Sequence, residues 1–385
     1  MSRVCIFLNS PYLGGAERSM IIQASMMPSP CHFIIPRLLS DSGDEILSFI
    51  RSSLEDNYTF EYIDYPLSLY EVSRSGVMTK YLSILYSFLL IYLEFRRVKL
   101  SNDDIVWING NKIGLPAILY LIISGFSNKL IWHFRDYPFN QGVFKAVWKI
   151  LRGDFKFKKI LVSNSDSVTE AVKKVCHSQK NKFITLYNPV GDLNISKDDK
   201  KTMTKIGIVS MFAPWKGLHT IIEFEKLYRT ELLSLGIEEI LIFGADIYKT
   251  SGAHDSYASQ LKKTHEQSSL IKFMGKRGVE DIFQNIDLLI HCSIEKEPFG
   301  RVIVEGFASD TPVISTGLGG SGELVIHQKT GARYFPYDYA GLFKEIEKFF
   351  LDLTYRKKVL NEARMHLEKI ENNQKEILRS LCLES

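Results

Sequence analysis

The chain has 385 residues, 48 Lys and Arg against 44 Asp and Glu, and a formal charge of +4. This mildly basic balance suits an anionic small substrate or a lipid surface, and with no aromatic-and-basic binding signature nucleic acid is not expected as a partner. The length exceeds what one core fills, so two α/β domains are the natural division.

The first residues run straight into an apolar strand pattern at Val4–Leu8, with no charged leader and no separate cleavage site, so no export signal is expected. Apolar runs recur at 32–35, 104–108, 130–134 and 159–162, separated by helix-like segments, which is the rhythm of a parallel sheet wrapped by helices. A second series begins at 205–210 and continues at 239–243, 270–274, 287–292 and 312–315. Between the two series lie a turn at 188–192 and a charged linker at 197–201. The boundary is therefore placed at about residue 200, giving domains 1–200 and 201–385, with the charged helical pattern at 351–371 crossing back onto the first domain. Cys5, Cys31, Cys176, Cys292 and Cys382 are scattered and read as reduced residues of a cytosolic core.

Two first-domain segments are candidates for membrane contact. Residues 81–93 are strongly apolar and are followed by Arg96, Arg97 and Lys99, but they are too short to span a bilayer, and a buried helix is the favoured reading. Residues 144–160 interleave Trp148, Phe155 and Phe157 with lysines and are the preferred interfacial segment.

Five local patterns carry chemistry. After the first strand, Gly14 and Gly15 form a turn into a helix, where backbone can approach a phosphate or a sugar, although paired glycines also make ordinary turns. His133, Arg135 and Asp136 end a first-domain strand, where ligands of open parallel sheets lie. His133 fits a reaction-centre wall or a structural histidine, and Arg135 fits leaving-group stabilisation or a salt bridge to Asp136. In the second domain, Lys216 next to Gly217 follows the first strand and can direct an ammonium at a diphosphate, while Gly319 and Gly320 form a turn suited to backbone contacts. Finally, Glu297 and Glu305 bracket a helix start. At a helical rise of ~1.5 Å per residue they stand at most roughly 12 Å apart, close to the span of a nucleotide sugar across its diphosphate. Phe299 and Gly300 would offer backbone N–H groups to phosphate between them, and Arg301 would add a cation. An acidic first turn stabilised by the helix dipole is the plainer reading. Metal-binding Asp-x-Asp, His-Glu-x-x-His and P-loop patterns do not occur, so no metal or other cofactor is expected.

With these residues in view, the chain resembles family 4 of the retaining glycosyltransferases, whose two Rossmann-like parallel-sheet domains facing a central cleft form the GT-B fold. The stretch Glu297-Pro-Phe-Gly-Arg-Val-Ile-Val-Glu305 matches the family's E-x7-E element, and Gly319, Gly320, Glu323 and Thr330-Gly331 fall where the family has them. Looser matches are Gly14-Gly15-Ala-Glu17, Asn188-Pro-Val190 and Lys216-Gly217. The resemblance implies that Glu297 touches donor-sugar hydroxyls, that Glu305 reads the ribose, and that Lys216, Gly15 and the amides near Phe299 and Gly300 hold the diphosphate. It also implies retention of anomeric configuration without a dedicated base. Met211 stands where the family usually has an arginine, so Arg301 or another cation must substitute or donor binding is weaker.

The expected protein is thus a cytoplasmic, peripherally membrane-associated enzyme. It would move a sugar from a nucleoside-diphosphate sugar to a lipid-linked glycan acceptor in surface-glycan biosynthesis. A catalytically silent sugar-binding subunit and a sugar-phosphate synthase are the rival readings.

Overall fold

The computed structural model describes residues 3–37, 43–54, 57–64, 81–138, 148, 152–153, 155–176, 178, 181–191, 193, 195, 202–245, 257–261 and 270–383. The chain divides into two compact units, residues 1–189 with 372–385, and residues 190–371. Against the expected boundary near residue 200, the division falls about ten residues earlier, and the last fourteen residues group with the first unit.

The first unit is a seven-stranded parallel sheet in the order β3-β2-β1-β4-β5-β6-β7. Its strands are β1 Val4–Leu8, β2 Cys31–Arg37, β3 Tyr58–Asp64, β4 Ile105–Asn109, β5 Lys129–Phe134, β6 Lys158–Ser163 and β7 Lys182–Thr185. Alternation of side chains along a strand sorts them between two cores. Val4, Ile6 and Leu8 pack with Met20, Ile21, Ile46 and Ile50 from the helices Gly15–Ser25 and Gly43–Leu54. Cys5 and Phe7 face the other way, toward Phe88, Ile91, Leu121 and Val172 from the helices Tyr81–Phe95, Gly114–Ile123 and Asp166–Cys176. Because both faces are covered, the central strands β1, β4 and β5 are buried along their whole length.

The second unit repeats the plan with six parallel strands in the order β10-β9-β8-β11-β12-β13. These are β8 Lys205–Val209, β9 Glu239–Phe243, β10 Ile271–Gly275, β11 Leu288–His291, β12 Val313–Ser315 and β13 Ala332–Arg333. The helix Leu218–Ser234 packs on one face with the helix Tyr339–Leu351, through Leu218, Ile221, Leu342 and Ile346. The last helix, Leu353–Leu383, starts on a cap in which Asp352 accepts the Tyr355 N–H. It places Val359 in the core of the second unit and Leu378, Leu381 and Cys382 in a core of the first.

Among the described residues no helix is long and apolar enough to cross a membrane. In the 144–160 segment Trp148 and Phe157 are buried in the first-unit core, so these two aromatics turn inward rather than toward an interface. Residues 144–147 and 149–151, like the loop at 67–78 expected to choose the acceptor, lie outside the described residues.

Candidate active site

In each sheet the chain reverses direction of growth between two central strands, β1 and β4 in the first unit and β8 and β11 in the second. Loops leaving such a pair diverge, and the crevice beyond their carboxyl ends is where open parallel sheets take ligands. In the second unit a cavity of roughly 170 Å³ lies there, lined by Ser210 and Lys216 after β8, His291, Ser293 and Glu297 at and after the end of β11, and Gly300, Arg301 and Val302 at the next helix.

Lys216 closes a single 3-10 turn, Pro214–Lys216, and Gly217 follows in the left-handed region at φ +72°. A Cβ on Gly217 would stand 2.1 Å from the carbonyl oxygen of Cys292, so the loops after β8 and β11 are pressed together at a point only glycine permits. Trp215 accepts the Ile294 N–H at 2.9 Å, and Lys216 accepts from the Cys292 thiol at 3.2 Å. This clamp brings the Lys216 ammonium to 2.5 Å from Glu297 Oε2. The same oxygen accepts the Ser293 hydroxyl at 3.2 Å and lies 3.7 Å from His291 Nε2. On its far side the His291 ring is held through Nδ1 by the Ser315 hydroxyl at 3.1 Å.

Burial opposes ionisation of Glu297, but the Lys216 charge and the His291 imidazole outweigh it and hold the carboxyl well below the usual carboxylate range. The backbone is pinned as well. Glu297 donates its N–H to Leu318 and accepts from Gly320 at 2.7 Å, forming a parallel bridge with Gly319.

The helix start expected between Glu297 and Glu305 falls at Arg301, and the helix runs to Ala308. Gly300, at φ +94°, turns the chain into it, so Glu297 belongs to the preceding loop and the helical-rise estimate of its distance to Glu305 does not apply. Gly300, Arg301 and Val302 line the cavity, which places the amino end of this helix, the positive end of its dipole, at the cavity wall. Glu305 sits one turn along, largely buried, accepting from Arg301 Nε at 2.9 Å, and is not among the cavity-lining residues. Phe299 is buried beneath the loop. Gly319 and Gly320 hold the Glu297 backbone, with the Gly320 N–H already donated to it, so their observed work is positional. Met211, at the position usual for an arginine, does not line the cavity, whereas Arg301 does.

Gly14, Gly15, His133 and Arg135 belong to the first unit. Gly14 precedes the helix that opens at Gly15, after β1. His133 has no exposed surface. Both ring nitrogens are buried without a hydrogen-bond partner, its ring lies 5.8 Å from that of Trp107, and burial, then the Arg135 charge, keep it neutral with a pKa well below the usual value. Of the two readings of His133, reaction-centre wall or structural histidine, its internal position accords with the structural one, although without the hydrogen bonds such a histidine usually makes. Arg135 is 9% exposed and donates to Asn109, Asn188 and Gln23 side-chain oxygens at 2.7, 2.6 and 2.8 Å. It ties together the carboxyl ends of β4 and β5, the first helix and the segment after β7.

Two groups of consequence were not singled out by sequence. His291 and Ser293 complete the shell around Glu297, and their signal was position, within two residues of the end of β11. Glu17 was quoted only as part of a glycine motif. It is 2% exposed, its Oε1 has no partner, and burial pushes its pKa up to about 7 against hydrogen bonds from its own and the Asn9 backbone and the charges of Arg135 and Lys112.

Residues 193–366 match the family model described as glycosyl transferases group 1. Among curated relatives, the putative glycosyltransferase YtcC of Bacillus subtilis is 27% identical over 214 residues, 52% of this chain and 51% of that protein. The capsular polysaccharide biosynthesis glycosyltransferase CapM of Staphylococcus aureus is 24% identical over 164 residues, covering 42% of this chain and 41% of CapM. In these alignments the chain spans about half the length, or less, of the relatives it matches. The fold is similar along its whole length to Anabaena HepE crystallised with UDP-glucose, with a TM-score of 0.73, 18% identity and 98% of each chain covered. The architecture of two parallel-sheet α/β domains is thus the GT-B fold.

Proposed function

We propose that the chain is a glycosyltransferase that takes a nucleoside-diphosphate sugar at the second-unit cavity. The observation that carries this reading is the arrangement of Lys216, Glu297, His291 and the amino end of the Arg301–Ala308 helix around one space at the β8/β11 switch. An ammonium, a guanidinium and the positive end of a helix dipole suit a diphosphate. A carboxylate kept ionised beside them suits sugar hydroxyls, as an acceptor of their hydrogen bonds. The matched family model over this unit and the HepE complex with UDP-glucose support the donor class.

The chemistry follows from charge. Cleaving the sugar–phosphate bond develops negative charge on the departing diphosphate, and Lys216, Arg301 and the helix amides are preorganised to meet it without a metal. Glu297 ionised across the neutral range then binds hydroxyls rather than delivering a proton. Retention of configuration and membership of family 4 rest on the E-x7-E resemblance. In that reading Glu305 binds ribose, which requires its carboxylate to reach past Arg301. Arg135 organises strand ends of the first unit. His133 takes a structural position.

For the acceptor, a lipid-linked glycan in surface-polysaccharide assembly at the cytoplasmic face of a membrane is the reading, supported by the likeness to CapM. Nucleotide release from donor by purified protein, with and without extracted lipid acceptors, tests it. Release dependent on lipid acceptor supports the proposal. Release dependent on a soluble sugar phosphate instead would move the chain to the sugar-phosphate synthases, and no release with any acceptor would favour a silent binding subunit.

A further inference from the structure

We infer that the paired helices Tyr81–Phe95 and Gly114–Ile123 form a docking face for an anionic lipid bilayer. The two helices follow successive strands of a parallel sheet, cover the same sheet face and pack on each other. The Tyr120 hydroxyl of the second helix donates to the Val98 carbonyl at 2.7 Å, just past the end of the first. Phe88, Ile91 and Phe95 point into the core from the first helix, as do Ala117, Ile118 and Leu121 from the second. The opposite faces are also apolar. Tyr86, Leu89 and Leu93, spaced by three and four, and Leu119, Ile122 and Ile123 are 38–67% exposed. A soluble helix normally turns polar residues outward, and these two do not.

Charge selects the occupant. At the end where Leu93 and Ile123 lie, the chain continues into exposed Arg96, Arg97 and Lys99. Glu94, the acid within this group, is turned back to Arg97 at 3.3 Å and to the Asp64 backbone N–H, and Asp103 is the exposed acid that follows. Aliphatic side chains with a tyrosine, edged by cations, fit the interface of a negatively charged leaflet, where apolar groups enter the acyl boundary and cations meet headgroups. Among the described residues no helix can cross a bilayer, so the contact is interfacial. The alternative segment is weaker as an anchor because Trp148 and Phe157 are core residues.

This surface gives the proposed lipid-linked acceptor its location, and so rests on that reading for its purpose, but vesicle binding is measured without donor or acceptor and stands or falls separately from transfer. The test is co-sedimentation of the full chain with vesicles of phosphatidylglycerol and phosphatidylcholine, against phosphatidylcholine alone. Wild type should bind the anionic vesicles and release with salt. Leu89→Glu/Ile123→Glu, with unchanged melting, should bind at least about tenfold more weakly, since two buried aliphatic contacts are replaced by like charge. Arg96→Gln/Lys99→Gln should weaken binding about fivefold for each cation removed. Lys156→Gln/Lys158→Gln should stay near wild type. Absence of wild-type binding, an unaffected Leu89→Glu/Ile123→Glu variant, or loss confined to Lys156→Gln/Lys158→Gln overturns the inference. So does self-association of wild type without vesicle binding that the glutamate pair abolishes, which would make the face a dimer interface.

Discussion

Lys216 and Glu297, 81 positions apart in the chain, meet at 2.5 Å because two loops are locked together at Gly217. The side chains are 17% and 15% exposed, so each charge depends on the other more than a surface pair would. The groups proposed to hold the diphosphate and the sugar are therefore coupled, and a ligand that engages one alters the field on the other.

Removing the cation should show this in stability. Lys216→Met leaves a largely buried carboxylate whose ionisation burial then opposes, at a cost of about 2 kcal/mol near neutrality. The folded-state pKa of Glu297 is depressed, so its contribution is present above the ordinary carboxylate range and is lost as pH falls through and below it. Denaturant titrations should find the Lys216→Met deficit largest at pH 7 and much smaller at pH 3. A deficit independent of pH would contradict the coupling.

Glu17 has the opposite sign. Its pKa rises on folding from 4.5 to about 7, so the folded state binds a proton more tightly and stability falls as pH rises across that window. The cost above it is on the order of 3 kcal/mol. Glu17→Gln should match wild type near pH 4.5 and melt progressively higher than wild type toward pH 8. Parallel melting curves at all pH values would refute the buried-acid assignment.

His133 predicts sensitivity at the acid end. Its pKa is lowered on folding, so a protonated unfolded state is favoured as pH drops below the ordinary imidazole value. His133→Leu removes two unpartnered buried nitrogens and should gain stability relative to wild type as pH falls from 7 to 5, by about 1 kcal/mol or more. It should also retain transfer activity, which an imidazole at the reaction centre would not allow.

Glycines separate strain from contact. Gly217→Ala meets both a left-handed backbone and the Cys292 carbonyl, and should lose more than about 2 kcal/mol together with donor binding. Gly236, at φ +82°, has nothing within 4 Å of an added Cβ, so Gly236→Ala should cost about 1 kcal/mol and leave donor binding intact. Equal losses in the two variants would show that loop contact at Gly217 is unimportant.

What sequence disclosed follows the same physics. The strands β1, β4, β5 and β11, buried along their whole length, stood out as apolar runs. The strands not read, β3, β7 and β13, are edge strands, and each includes partly exposed positions that break the run. At the site, Lys216, Gly300, Arg301 and Glu297 were legible because loops after central strands are where chemistry gathers. The helix start lies between the two glutamates, as read, but no local pattern announces that Gly300 adopts a left-handed conformation and leaves Glu297 in the preceding loop. The inward turn of His133 and Glu17, and the outward turn of Leu89 and Ile123, depend on which sheet face each element covers. That is decided by strand order, which a single sequence does not spell out.

The most direct measurement is ligand-induced melting of wild type, Lys216→Met and Glu297→Gln with UDP-, GDP-, dTDP- and ADP-sugars, since a ligand bound only by the folded state raises the transition. The account predicts that at least one nucleotide sugar raises the wild-type transition and that both variants lose most of that rise. No rise with any of the four, or variants that respond as wild type does, would contradict it.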